Sequence, residues 1–264
     1  GGNDLDLATA LNNLAQIYQE LGKYGEAEPL LQQSLKIREA ILGPDNAAVA
    51  ESLNNLALLY QAQGNYNSAR PLLERALTIA SKDPIANRYL SAVILGNLAS
   101  VFQSQGYYDA STPLFERAAL VLEQILGPDH PTVGSSLDNW ASSSQSQGNY
   151  EAAKPLFERS LKIAEKTYGA DHPAVALVLN NLGGLYDDQG DYDSAKPYYE
   201  RALKIREQSL GSDHPLVADS YDNLTLLAAA TGDLKQSVEW LSKAISARQR
   251  ILVRELPFYS RQEI

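Results

Sequence analysis

Asparagine returns at one phase of a 42-residue period, at Asn13, Asn55, Asn97, Asn139, Asn181 and Asn223. One phrase surrounds it: Leu-Asn-Asn-Leu-Ala at 11–15 and 53–57, Leu-Gly-Asn-Leu-Ala at 95–99, Leu-Asp-Asn-Trp-Ala at 137–141, Leu-Asn-Asn-Leu-Gly at 179–183 and Tyr-Asp-Asn-Leu-Thr at 221–225. No insertion or deletion interrupts the period. A fixed period of roughly 20–50 residues marks a stacked array of one supersecondary unit, because a single unit cannot bury its apolar face alone. The functional question therefore shifts from which residues catalyse to what a long face of the array binds.

Within residues 47–83, Leu53, Leu56, Ala57 and Tyr60 recur at three- and four-residue spacing, the apolar stripe of an amphipathic helix. Gln63-Gly64-Asn65 breaks that stripe, and Tyr66, Ala69, Leu72, Leu73, Ala76, Leu77 and Ile79 begin a second one. The spacing predicts two antiparallel helices joined by a tight turn. The turn glycine recurs at Gly22, Gly64, Gly106, Gly148, Gly190 and Gly232, followed five times by tyrosine two residues later. Pro29, Pro71, Pro113, Pro155 and Pro197 fall early in each second helix, where a missing N–H is expected to cost less than at mid-helix. Between hairpins lie Gly-Pro-Asp-His-Pro at 127–131, Gly-Ala-Asp-His-Pro at 169–173 and Gly-Ser-Asp-His-Pro at 211–215. There glycine closes a helix, aspartate is placed to cap, and proline opens the next helix.

These residues resemble the tetratricopeptide repeat: Leu, Ala and Tyr in the first helix, then Gly-x-Tyr-x-x-Ala and a closing Ala-Leu. The 42-residue length and the Gly-x-Asp-His-Pro linkers are similar to its kinesin light chain subtype, which is also frequent in bacterial multidomain proteins. The resemblance covers roughly residues 7–252. It implies an all-α, right-handed superhelical solenoid of six helix-turn-helix repeats. Its first helices would line a concave groove and its second helices the convex side, binding peptides or protein segments without chemistry of their own. The expected boundaries are one solenoid over 7–258, with repeats at about 7–46, 47–88, 89–130, 131–172, 173–214 and 215–258. Residues 1–6 and 259–264 are expected as tails. The start at Gly1-Gly2, without methionine, reads as a cleavage scar on a piece of a longer protein. The ending also faintly resembles the junction before a CHAT protease-like domain.

Charge and composition exclude several classes. A net charge of −10 argues against a nucleic-acid partner, which needs clustered Lys and Arg. No apolar run is long enough to span a membrane, and no signal peptide is visible. Cysteine is absent, which removes disulfides and thiolate metal sites and fits a cytoplasmic location. His130, His172 and His214 share one linker phase and so lie a full repeat apart, roughly 10 Å if neighbouring helices pack normally. A zinc ion needs ligands at about 2 Å, so capping or packing is the expected role and no metal or cofactor is assigned. No catalytic grouping is nameable, and the chain is read as no enzyme.

Two features bear on a binding face. Asparagine is a mediocre helix former because its amide competes for backbone hydrogen bonds, so six at one mid-helix phase need an offset. One reading is a ladder of amides, each donor and acceptor together, clamping a ligand backbone. The resemblance implies that this phase faces the groove. The other reading is that each amide bonds the neighbouring repeat, and one amide could do both. The candidate groove residues are the six asparagines of the ladder, together with Asn54, Asp138, Asn180 and Asp222 beside them.

The second feature is charge partition. Taken as 7–21, 47–63, 89–105, 131–147, 173–189 and 215–231, the first helices hold no Lys or Arg. They do hold Glu20, Glu51, Asp138, Asp187, Asp188, Asp219 and Asp222. The groove is then neutral to acidic and favours a basic or neutral partner segment over an acidic one. The basic residues of the second helices read as solvated surface. The expected function is a protein–protein interaction scaffold. The alternative is a regulatory or sensor domain contacting its own effector domain within a longer protein.

Overall fold

The computed structural model describes residues 2–259, with side-chain surroundings for 4–253. Twelve α-helices and no strand make up these described residues, arranged as six consecutive hairpins. The first helices are α1 (Gly2–Glu20), α3 (Ala47–Ala62), α5 (Arg88–Ser104), α7 (Pro131–Ser146), α9 (Pro173–Asp188) and α11 (Pro215–Ala230). Their partners are α2 (Tyr24–Leu42), α4 (Tyr66–Ala80), α6 (Tyr108–Leu126), α8 (Tyr150–Tyr168), α10 (Tyr192–Leu210) and α12 (Leu234–Tyr259). The chain divides into two compact units, the first ending at Pro128 and the second beginning at Asp129. Helix α1 starts before residue 7, where the array was expected to begin, so the first tail is helical from Gly2. Residues 260–264 of the second tail lie outside the described residues.

Each hairpin turn is closed by one three-residue device. In the second repeat, Gly64 adopts φ +73°, a left-handed conformation nearly free for glycine. That turns the Asn65 N–H back onto the Tyr60 carbonyl at 2.7 Å, a Schellman closure of α3. The same Asn65 then caps α4, its side chain accepting from the Ser68 N–H at 3.2 Å. Asn149 and Asp191 do the same for α8 and α10. One residue ends one helix and starts the next, which fixes the hairpin geometry.

Linker capping differs from the expectation in its agent. Histidine, not aspartate, is the N-cap: Nδ1 of His130, His172 and His214 accepts from the backbone N–H two residues on, at 3.1–3.2 Å. Proline follows at the first helical position. Asn46, at the same phase after the first repeat, caps α3 in the same way at 2.9 Å. After the second repeat the motif is lost, and the Asp83 carboxylate instead accepts from Ile85 and Ala86 N–H.

Pro29, Pro71, Pro113, Pro155 and Pro197 lie early in their helices, as read, but inside them and past the first turn. Each therefore removes a ladder hydrogen bond that a first-turn proline would spare.

Small residues let the paired helices close. Ala27, Ala69, Ala153 and Ala195 are fully buried where second helices meet first helices. In the first unit, Leu53, Ala57, Leu73, Ile94 and Val101 form one continuous apolar cluster. In the second, Phe157 packs with Ala141, Leu182 and Leu185, and Tyr199 with Val217, Tyr221 and Leu224. A fully buried side chain of this size contributes roughly 1.5–3 kcal/mol, so the stability of each unit is spread along its stacked hairpins. Trp240 stacks on Tyr221 at 5.7 Å rather than standing free at the array's end.

The histidine caps give a direct expectation. His172→Ala should lower stability by about 1 kcal/mol, while His172→Asn, copying Asn46, should be close to neutral in thermal melts. Equal losses for both variants would mean that ring packing on Tyr168, stacked at 4.8 Å, outweighs the cap.

Candidate interaction face

Helical periodicity places four residues of each first helix on one stripe. In α9 these are Leu177, Asn181, Gly184 and Asp188, and in α3 they are Glu51, Asn55, Leu58 and Ala62. None of the eight is buried, and Leu177 is 53% exposed. The repeated asparagine therefore sits on an open stripe of mixed small, apolar and acidic side chains.

From that stripe four of the six amides reach sideways to the preceding repeat. Asn55 Nδ2 donates to Asn12 Oδ1 at 2.9 Å, and Asn97 Nδ2 to Asn54 Oδ1 at 2.8 Å. In the second unit Asn181 Nδ2 donates to both Asp138 oxygens at 3.0 and 3.2 Å, and Asn223 Nδ2 to Asn180 Oδ1 at 2.8 Å. In these rungs the acceptor is the residue just before the previous repeat's asparagine, which joins seven of the ten candidate residues, Asn54, Asn55, Asn97, Asp138, Asn180, Asn181 and Asn223, into one pattern. Asn13 and Asn139 are exposed. Asn12 completes the first rung and was missed by the sequence reading, although its Asn-Asn phrase signals it. Position 96, the same phase in the third repeat, is glycine and offers no side-chain acceptor.

The acids of the first helices separate into two groups. Glu51 lies 3.6 Å from Arg38 of α2. In the last hairpin, Arg248 of α12 pairs with both Asp219, at 3.3 Å, and Asp222. Arginines of second helices thus neutralise three acids, which corrects the reading of all second-helix bases as plain solvated surface. Others tie successive repeats together: Arg75 to Glu39 and Arg201 to Glu165, each at 2.6 Å. These pairs are substantially exposed, so each adds at most about 1 kcal/mol. Arg88 opens α5 and donates to Gln124, so one basic residue does belong to a first helix.

Of the remaining acids, Glu20 ends α1, and Asp138, Asp187 and Asp188 lie in α7 and α9 without an arginine at ion-pair distance among the described residues. Asp188 accepts from Gln145 Nε2 at 2.7 Å. Asp187 is pushed above the usual carboxylate range by burial and by Asp188. Its neighbour Tyr199 enters because position 183 is glycine, where a Cβ would come within 2.7 Å of the tyrosine ring. Burial and the same carboxylates hold the Tyr199 hydroxyl above its ordinary value. Asp138 is the deepest of the set, 8% exposed. Burial raises its pKa to about 6, and the Asn181 amide opposes that shift only in part.

Sequence and structure comparisons agree with this geometry. A tetratricopeptide repeat family profile matches residues 6–82, 132–208 and 188–250, and a second tetratricopeptide profile matches 91–132. The chain belongs to the tetratricopeptide repeat family. No curated protein matches its sequence. A solved structure of a putative kinesin light chain from Podosopora anserina, with nearly identical tetratricopeptide-like repeats, is similar at 26% identity and TM-score 0.67, covering 78% of this chain and 98% of that one. BtubC (BKLC) from P. vanneervenii shares the fold at TM-score 0.69 and 22% identity, over 93% of this chain and 91% of its own. PilW, a type IV pilus biogenesis factor, does so at TM-score 0.68 and 20% identity, over 93% and 98%. No helix among the described residues is long and apolar enough to cross a membrane.

Asp138 yields a pH test whose sign is fixed by the direction of its shift. Its native pKa, about 6, lies above the ordinary 3.8, so the native state holds the proton more tightly than the unfolded chain. Stability from this group is therefore present near pH 4 and lost as pH rises through about 6. Among the described residues that line the pocket beside Asp138, Tyr168 is the one other titratable group. Asp138→Asn, which copies Asn54 and Asn180, should raise stability at pH 7 by on the order of 2–3 kcal/mol. The gain should vanish near pH 4, as read by denaturant melts. Parallel pH profiles for the two proteins would contradict it.

Proposed function

We propose that the chain is a protein-interaction scaffold whose first-helix stripes hold an extended or helical segment of a partner protein, neutral or basic in charge. The observation that carries this reading is the open stripe itself. Each rung amide spends one N–H on the neighbouring repeat and keeps a second N–H on an unburied face, beside exposed Leu58, Leu177 and Leu226. Amides suit a peptide backbone and leucines suit apolar side chains. Asp138, Asp187 and Asp188 supply negative potential that no arginine cancels. Tetratricopeptide membership supports the same class of activity, since the family's arrays act through protein partners.

The reading is tested on an array of immobilised peptides of graded net charge. Basic and neutral peptides should be retained, and retention should fall as salt is raised. Ser142→Arg, placing a cation on the α7 stripe, should weaken that retention without shifting the melting temperature. A consistent preference for acidic peptides would overturn the charge assignment, and no retention of any peptide would overturn the face.

A further inference from the structure

One register of the second helices decides how the seam between successive hairpins is filled. Arg38, Arg206 and Arg248 occupy it in repeats one, five and six, and Ala164 occupies it in repeat four. Arg206 is buried at 5% exposure, its guanidinium donating to the Leu216 carbonyl at 3.2 Å and to Ser220 Oγ at 2.7 Å. Arg38 repeats this on the Ala48 carbonyl and Ser52 Oγ, at 3.0 and 3.1 Å. Arg248 instead turns to its own hairpin and donates to Asp222 Oδ1 at 3.0 Å.

Repeat four lacks that arginine side chain, as repeats two and three do with Ala80 and Leu122, and puts the apolar Val178 where Ser220 receives Arg206. A pocket of about 150 Å³ opens beside Ala164, large enough for a planar group of about benzene's size. Its walls include Ile163, Ala174 and Val178. Ala174 and Val178 hold the phases of the Leu216 and Ser220 groups that receive Arg206. Asp138 lines the same pocket and holds the phase of Asp222, the carboxylate that receives Arg248. Its oxygens accept from the Asn181 amide alone, with no cation at ion-pair distance among the described residues. Exposed Ser135, Asn139 and Leu177 also line it, so its mouth lies on the open stripes of α7 and α9.

We propose that this pocket is the seat for an arginine side chain of the bound partner, with Asp138 receiving a guanidinium as Asp222 receives that of Arg248. The apolar walls take the methylene stem, and the carboxylate takes the planar fork in the two-toothed manner that lysine cannot copy. A carboxylate ionised in such a site weighs against folding until a cation arrives. Binding of arginine therefore recovers a penalty already built into the free protein.

The proposal rests on the scaffold reading only for the source of the arginine, so a small probe tests it separately. N-acetyl-arginine methylamide is titrated into the full chain, followed by carboxyl carbon NMR of Asp138, with the citrulline and lysine analogues as controls. The arginine probe should move the Asp138 signal saturably and lower its titration midpoint. The citrulline analogue should bind at least about tenfold more weakly, as the loss of one charged pair implies, and lysine should fall between. Two variants complete the test. Asp138→Asn, followed through the Asn181 side-chain amide signal, should lose the discrimination between arginine and citrulline. Ala164→Arg should fill the seat from within, raise the melting temperature at pH 7 and abolish the response to the probe. Equal shifts with citrulline, or an undiminished arginine response in a folded Ala164→Arg or Asp138→Asn protein, would overturn the proposal. Peptide-array failure with an intact arginine response would overturn the partner-segment reading and leave the seat standing.

Discussion

The hydrogen bond from Asn55, Asn97, Asn181 and Asn223 to the residue just before the matching asparagine of the preceding repeat is the interaction on which the face depends. Apolar stripes bring two helices of a hairpin together, but they leave sliding and rotation between successive first helices weakly specified. A short amide donor meeting a short amide or carboxylate acceptor, at 2.8 Å in the Asn97–Asn54 and Asn223–Asn180 rungs, admits one register. It also answers why a poor helix former is kept at mid-helix. The amide's intrinsic penalty is a few tenths of a kcal/mol, smaller than the roughly 1 kcal/mol that a satisfied hydrogen bond returns.

The same rung explains the charge of the face. Where the acceptor is asparagine the seam stays neutral, and at Asp138, the aspartate acceptor, a buried carboxylate must be accommodated. At Asp222 the chain brings Arg248 across from its own second helix. At Asp138 the matching position is Ala164, and the carboxylate keeps only the Asn181 amide and a pKa raised to about 6. An aspartate at the rung position with no arginine opposite it thus turns a structural register into a site with a chemical preference. That site is the most local feature of the partner-binding account.

Much of this was legible in the sequence because it repeats. The 42-residue period revealed the hairpins, the glycine turns and the linker caps, since each is a local arrangement set by a few neighbouring residues. What stayed hidden depends on pairs far apart in sequence. The choice between ligand-facing and neighbour-facing amides required knowing that residues 43 apart, such as Asn12 and Asn55, come within hydrogen-bond distance. The arginines of the second helices could not be sorted into surface and seam without the fold: Arg75 and Arg206 share a helix type, yet one is exposed on Glu39 and the other is buried against Ser220. Histidine was recognised as a capping or packing residue. That it displaces the neighbouring aspartate from the cap followed only from the geometry of Nδ1 over the next turn.

The most direct measurement is a double-mutant cycle on one rung, with Asn54→Ala, Asn97→Ala and the pair compared by denaturant unfolding. Both single variants should destabilise, and the pair should fall short of their sum by on the order of 1 kcal/mol, because the second truncation removes a partner already lost. Strict additivity would contradict the account, for it would mean that the two amides meet without holding the repeats in register.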